Sequence, residues 1–360
     1  MSRHPPALQD RHPEEFEVTA SPRPCPAQVP DSSAALRLAR FFAAGCLGQA
    51  LAALVRAGVV REMARDRPSV DELAHRTGTD PATLSRFLRA GKAAGVFVED
   101  PPHHFALSDT GELLAEGPGS LGGLLELANT APVLAAWSAA EHTLRTGESA
   151  FAAVHGSSVF DHLAQAPALA GAVGRAMGAS VAAELVPASV DLPSARHVVD
   201  VGAGGARLLT ALLAAQPHLV GTLVGVPTAA REQVAEELRR SGVRSRCRLP
   251  DGEVLPQDGD VYLLCHVLPC LDDEDAVSLL RSLVPVLREG ARLLVIGFVP
   301  SARDRTPVIP ALDVWMAAMC GGRQRTEHEY SALLDRAGLL LHARHGVRPD
   351  TECVLEVVRR

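Results

Sequence analysis

The chain has 360 residues, 47% of them hydrophobic and 21% charged, with a net charge of −7 at neutral pH. That length exceeds what one hydrophobic core usually spans, so two domains are expected, and the composition is globular rather than disordered or fibrous. The acidic balance argues against nucleic acid or an anionic membrane as partner. No basic-then-apolar signal layout opens the chain, and no apolar run is read as reaching the roughly 18–20 residues of a membrane span. Seven cysteines without paired spacing fit a reduced cytoplasm better than a disulfide framework, so a cytoplasmic location is expected.

Residues 1–30 are rich in Pro, His and charge and read as a disordered tail. From Ser32 to Val60 the apolar residues Leu36, Leu38, Phe41, Phe42, Leu47, Leu51, Leu54 and Val55 crowd the helical faces beyond what one small domain can cover, which predicts a partner subunit. Val70–Ala74, a break at Thr77-Gly78, and Asp80-Pro81 as cap and first-turn proline predict helix, turn, helix. A short hairpin from Val96 to Leu107 completes a winged-helix outline over residues 31–110. Arg86 and Arg89 share one face of its second helix, yet no basic stripe accompanies them, so a packing role is favoured over DNA binding. Residues 111–195 read as a further helical region with Trp137, Phe151, Phe160, Leu163 and Met177 at core-like spacings.

Residues 196–360 alternate strand and helix. Strands are predicted at 197–201, 220–226, 245–249, 260–265 and 291–298, with helices after the first four, then a hairpin near Leu339–Arg344 and Glu352–Val358. This is an α/β, Rossmann-like doubly wound sheet closed by an antiparallel pair. Val198-Val199-Asp200-Val201 runs into Gly202-Ala203-Gly204-Gly205-Ala206, a glycine-rich turn at which a backbone can approach a nucleotide-like ligand. Glycine spacing alone is weak support. Ligands of such sheets lie beyond the carboxyl ends of the strands, which gathers Val201–Ala206, Gly225, Asp251, Cys265–Cys270 and Gly297 around one cavity.

Further motifs narrow the reading: Arg145-Thr146-Gly147-Glu148 with Phe151, His266-Val267-Leu268 before Leu271-Asp272-Asp273-Glu274-Asp275-Ala276, and Asp313-Val314-Trp315-Met316 before Gly321-Gly322-Arg323-Gln324-Arg325-Thr326. In this order, from about Ser33 to the C-terminus, the chain resembles the bacterial and plant small-molecule O-methyltransferases that use S-adenosylmethionine. The resemblance implies a class I methyltransferase sheet behind a helical, winged-helix N-terminal domain, a homodimer, and an aromatic or polyketide-type substrate. It also implies cofactor positions at Asp200, Gly202, Gly204, Gly225, Asp251 and Cys265. Substrate-cavity positions are Met177, Pro269, Cys270, Gly297, Met316 and Cys320.

Several of those positions depart from the family. Gly225 stands where the family carries the acid that binds the cofactor's ribose hydroxyls, and Cys265 replaces its lysine. The histidine base of a His-Asp-Trp run is Pro269, followed by Cys270-Leu271, and its two orienting glutamates are Gly297 and Gln324. Losing charge-assisted bonds of about 1.5–3 kcal/mol each predicts weak or absent S-adenosylmethionine binding. Proline cannot take a proton. The expectation is a tailoring enzyme of secondary metabolism, such as antibiotic biosynthesis, that performs a non-methylating reaction: cyclisation, isomerisation, decarboxylation or hydroxylation. The alternatives are an O-methyltransferase with drifted cofactor contacts and a catalytically silent dimeric partner. His266, Gln324 and Asp313 are the catalytic candidates. His266 titrates nearest neutrality, although a packing role for it is weighed more heavily. No metal is expected, because Cys265, Cys270 and Cys320 lack a C-x-x-C spacing.

Overall fold

The computed structural model describes residues 32–115, 120–176, 186, 194–202, 207–226, 228–252, 254–302, 304, 306–346 and 352–360. The expected tail at 1–30 and two expected site residues, Met177 and Gly204, lie outside them. The chain divides into two units at Cys46–Leu47.

The helix Ser32–Arg56 crosses that division. Before it, Leu36, Leu38, Phe41 and Phe42 are exposed. Its span Ser33–Arg56 is long and apolar enough, by length and composition, to cross a membrane. This corrects the expectation that no apolar run reaches that length. Leucines, alanines and the pair Phe41-Phe42 carry the apolar stretch, and Arg37, Arg40 and Gln49 interrupt it.

In the second unit, short helices Val59–Met63, Val70–Thr77 and Pro81–Ala93 precede a hairpin of β1 (Phe97–Glu99) and β2 (Phe105–Leu107). Local chemistry sets these boundaries. Ser69 and Glu72 form a reciprocal capping box, Gly78 ends the first capped helix in the left-handed region, and Asp80 accepts from Thr83 N ahead of Pro81. Leu73, Leu84, Leu88, Phe97 and Phe105 form the core of this part. The helices between Gly122 and Ala176 pack a separate core on Phe151 and Ala136, to which Ala318 and Met319 contribute.

The main sheet has seven strands in the order β5-β4-β3-β6-β7-β9-β8. They are β3 (His197–Val201), β4 (Val220–Val224), β5 (Cys247–Arg248), β6 (Val261–Cys265), β7 (Arg292–Phe298), β8 (Leu339–His345) and β9 (Glu352–Arg359). β9 runs antiparallel to both neighbours and the other pairings are parallel. The two-residue period sends Val199, Tyr262, Leu264 and Val295 to one face, under helices Asp273–Leu283 and Glu327–Ala337. Val198, Leu263, Leu294 and Ile296 go to the other, under helices Arg207–Ala215 and Arg231–Arg240. A helix expected after the third strand does not form among the described residues of 249–260. Pro250, Gly252, Pro256 and Gly259 break it.

Asp200 shares the Val198 face of β3 and is buried. Desolvation pushes its carboxyl up from 3.8 to about 7. Between those values the folded chain keeps a proton that the unfolded chain releases, so stability falls as pH rises through that window and the penalty is complete above about pH 7. Asp200→Asn removes the titration. Thermal melts are expected to show the variant more stable than the parent by roughly 1–4 kcal/mol at about pH 8 and close to it at about pH 4.

Candidate active site

The carboxyl ends of β3, β4 and β6 meet where the strand order reverses, the usual crevice of such sheets. Gly202 opens the turn after β3 at φ +128, and a Cβ there would collide with the Val267 side chain, so only glycine allows the close approach. Gly225 ends β4 at φ +81 beside the Gly202 backbone, which leaves open space and no carboxylate at that position. Nearby acids do not substitute for one. Glu232 and Glu236 on the next helix are both engaged by Arg239. Asp251 is 99% exposed at its side chain, beside Arg231 at 3.1 Å. Cys265 packs against the core on the Val198 face of the sheet. Among the described residues, these strand ends place no free carboxylate at the Gly225 position.

Past β6 the chain turns sharply at His266, whose φ of +56 is uncommon for a residue with a side chain. Its backbone N–H still donates to Ile296 O at 2.9 Å, so the ladder to β7 continues while the side chain swings away. The imidazole Nε2 is hydrogen-bonded to a carboxylate oxygen of Glu352, and its ring centroid lies 5.8 Å from that of Phe298. His266 therefore faces a buried acid on β9. The backbone then forms a tight turn, Leu268–Cys270, with Pro269 buried inside it.

The helix Val308–Cys320 presents Asp313, Met316 and Cys320 at helical spacing. Cys270 Sγ lies 4.0 Å from Met316 Sδ. A hydrogen bond to Cys270, with burial, raises Cys320 well above a free thiol. Asp313 Oδ1 accepts from the backbone N–H of Gln324 at 2.7 Å, so these two candidates do come together. Gln324 is buried, and its Oε1 has no hydrogen-bond partner among the described residues. Such an atom is costly unless a ligand or water satisfies it. Arg323 turns outward to Glu329 at 2.7 Å. No group of three or more His, Cys, Asp or Glu is placed to hold a metal among the described residues.

Two residues that were not singled out from the sequence hold this site together. Glu352 opens a strand of mostly apolar residues that carries a second buried acid, Glu356, and its one sequence signal is an acid in that setting. Arg325 is wholly buried. Its guanidinium donates to Leu268 O at 2.7 Å, Leu271 O at 2.8 Å and Asp273 Oδ1 at 2.7 and 2.9 Å. Those bonds, first among the causes, hold the Asp273 carboxyl below its ordinary value. Gly322 packs on the same turn, where a Cβ would collide with Pro269 O. Arg325→Met should orphan both carbonyls and cost about 2–4 kcal/mol in urea unfolding.

Comparison with known proteins gives the family. The O-methyltransferase domain profile matches residues 137–340. A 3-amino-4-hydroxybenzoate 4-O-methyltransferase of Streptomyces cremeus is 33% identical over 92% of this chain and 93% of its own. Aclacinomycin 10-hydroxylase RdmB of Streptomyces purpurascens is 34% identical over 75% of each. The structure of the mitomycin 7-O-methyltransferase MmcR superposes with a TM-score of 0.80 at 30% identity, covering 91% of this chain and 98% of that one. A matched profile over more than half the chain, a relative aligned nearly end to end, and a shared sheet place this protein in the O-methyltransferase family, as a methyltransferase-fold enzyme.

Proposed function

We propose that this family member is a tailoring enzyme of secondary metabolism that works on an aromatic or polyketide-type molecule without transferring a methyl group. The observation that carries this is the substitution at the base position. Pro269 sits buried in the Leu268–Cys270 turn, and the neighbouring imidazole is His266. Gly297 and Gln324 stand where the resembling family carries the acids that orient its histidine. His266 then takes the part of the base, while Gln324 Oε1, unpartnered among the described residues, accepts a bond from a substrate hydroxyl. Asp313 holds Gln324 in place through its backbone N–H. Isomerisation, cyclisation and decarboxylation can each be driven by moving one proton and holding one reactive conformer. The relative named as a hydroxylase supports the reading that this scaffold serves chemistry beyond methyl transfer.

S-adenosylmethionine is plausible by family, and the proposal is that it binds weakly or not at all, because Gly225 offers its ribose nothing. Calorimetric titration tests this: heats of binding absent or weak are expected. Gly225→Asp should gain affinity, at about 1 kcal/mol of left-handed backbone strain in the folded protein. Tight binding by the parent protein would return methyl transfer to first place.

We also propose that the exposed apolar side chains of the helix Ser32–Arg56 are covered by a second copy of the chain. Their surface is large for a protein without a partner there. Light scattering at micromolar concentration should give twice the chain mass. A monodisperse monomer would remove the proposal, and capture by lipid vesicles would assign the helix to a membrane instead.

A further inference from the structure

We propose that Glu352 fixes His266 in the form that presents Nδ1 as the accepting atom, and that the absence of a side chain at Gly297 keeps the position beside Nδ1 clear for a substrate atom. This rests on the reading of His266 as the base. The three residues come from different strands: His266 follows β6, Gly297 lies in β7, and Glu352 begins β9, directly across from Phe298. Glu352 is 5% exposed at its side chain and His266 17%, so the pair is largely shielded.

The direction of the pair follows from its hydrogen bond. An ionised carboxylate only accepts, so the His266 nitrogen bonded to it must carry the proton. That nitrogen is Nε2, which leaves Nδ1 with its lone pair. Nδ1 makes no hydrogen bond among the described residues. On β7, a Cβ at Gly297 would stand 3.5 Å from Nδ1. A larger side chain would fill the space that glycine leaves. The residue substitution that removed an orienting acid from β7 has therefore also made room beside a second imidazole.

In the step this geometry permits, an O–H or acidic C–H bond of the substrate breaks and its proton forms an N–H bond at Nδ1. The electron pair stays on the substrate as an enolate or phenolate. The Glu352 carboxylate faces the charge that develops on the imidazolium, so it acts as a positioning residue through His266. The left-handed backbone at His266 is the strain that aims the ring, a kind of strain that concentrates at working sites.

The test reads the imidazole directly in nitrogen-15-labelled full-length protein. Expected are a bare Nδ1 and a downfield, slowly exchanging Nε2–H proton. Glu352→Gln, whose amide oxygen still accepts, should keep that proton signal, and Glu352→Ala should lose it. Gly297→Val should leave the signal in place but abolish carbethoxylation of His266 by diethyl pyrocarbonate, read by peptide mass spectrometry. A proton on Nδ1 in the parent protein overturns the inference, and so does a signal unmoved in Glu352→Ala. Equal carbethoxylation of the parent and Gly297→Val overturns the part given to Gly297. His266→Asn separates this from the functional reading: full turnover there removes the base while the tautomer assignment stands.

Discussion

A buried guanidinium organises the working end of this molecule. Arg325 reaches back across the chain to two carbonyls and one carboxylate of the segment 268–273. That segment follows β6 and begins the helix Asp273–Leu283. Without such a partner, a short turn with inward carbonyls would lose hydrogen bonds that water cannot replace. The arginine's planar fork can hold several oxygens at once, which an ammonium cannot do with the same geometry. Gly322 lets the two backbones close to contact, and the hydrogen bond from Gln324 to Asp313 carries the same order onto the helix Val308–Cys320. His266, at the mouth of this turn, inherits a fixed backbone from it.

The candidate site combines a fixed frame with small residues at its strand ends. The scaffold keeps the crevice between β3 and β6 and the close approach of Gly202 to Val267. What differs is which side chains occupy the ends of the strands. A glycine ends β4, a second lies near the end of β7, and a proline lies inside the turn after β6. A sheet of this kind can keep its frame while the side chains at its strand ends differ.

Much of this architecture was legible in the sequence. The strands at 197–201, 260–265 and 291–298 are mostly apolar, as buried parallel strands tend to be, and the observed strands lie within one residue of those spans. β5 shrinks from the expected 245–249 to Cys247–Arg248, because an edge strand gains little from pairing on one side only. The helix expected after it fails for want of uninterrupted residues between Pro250 and Gly259. At the site, His266, Asp313 and Gln324 could be named from the motifs that carry the family resemblance, and the pairing of the last two was not foreseeable from them. Glu352 and Arg325 escaped notice for one physical reason. Their partners lie 86 and 52–57 residues away in the chain, and no local period reports a contact that only the folded sheet creates. The bilayer-length stretch at Ser33–Arg56 was missed because Arg37, Arg40 and Gln49 break its apolar run, although the helix as a whole is apolar.

The order of strands in the sheet has a consequence for how the protein comes to exist. β9 is synthesised after β8 yet lies between β8 and β7. Until it arrives, β7 has an unpaired edge, a template for association with other chains. The same strand delivers the acid that faces His266. Assembly of the site and closure of the sheet are therefore one event in the life of the nascent chain. A molecule whose sheet has not closed also lacks the His266–Glu352 pair, so in a mixed population the chains prone to clump and the chains without a finished site would be the same molecules.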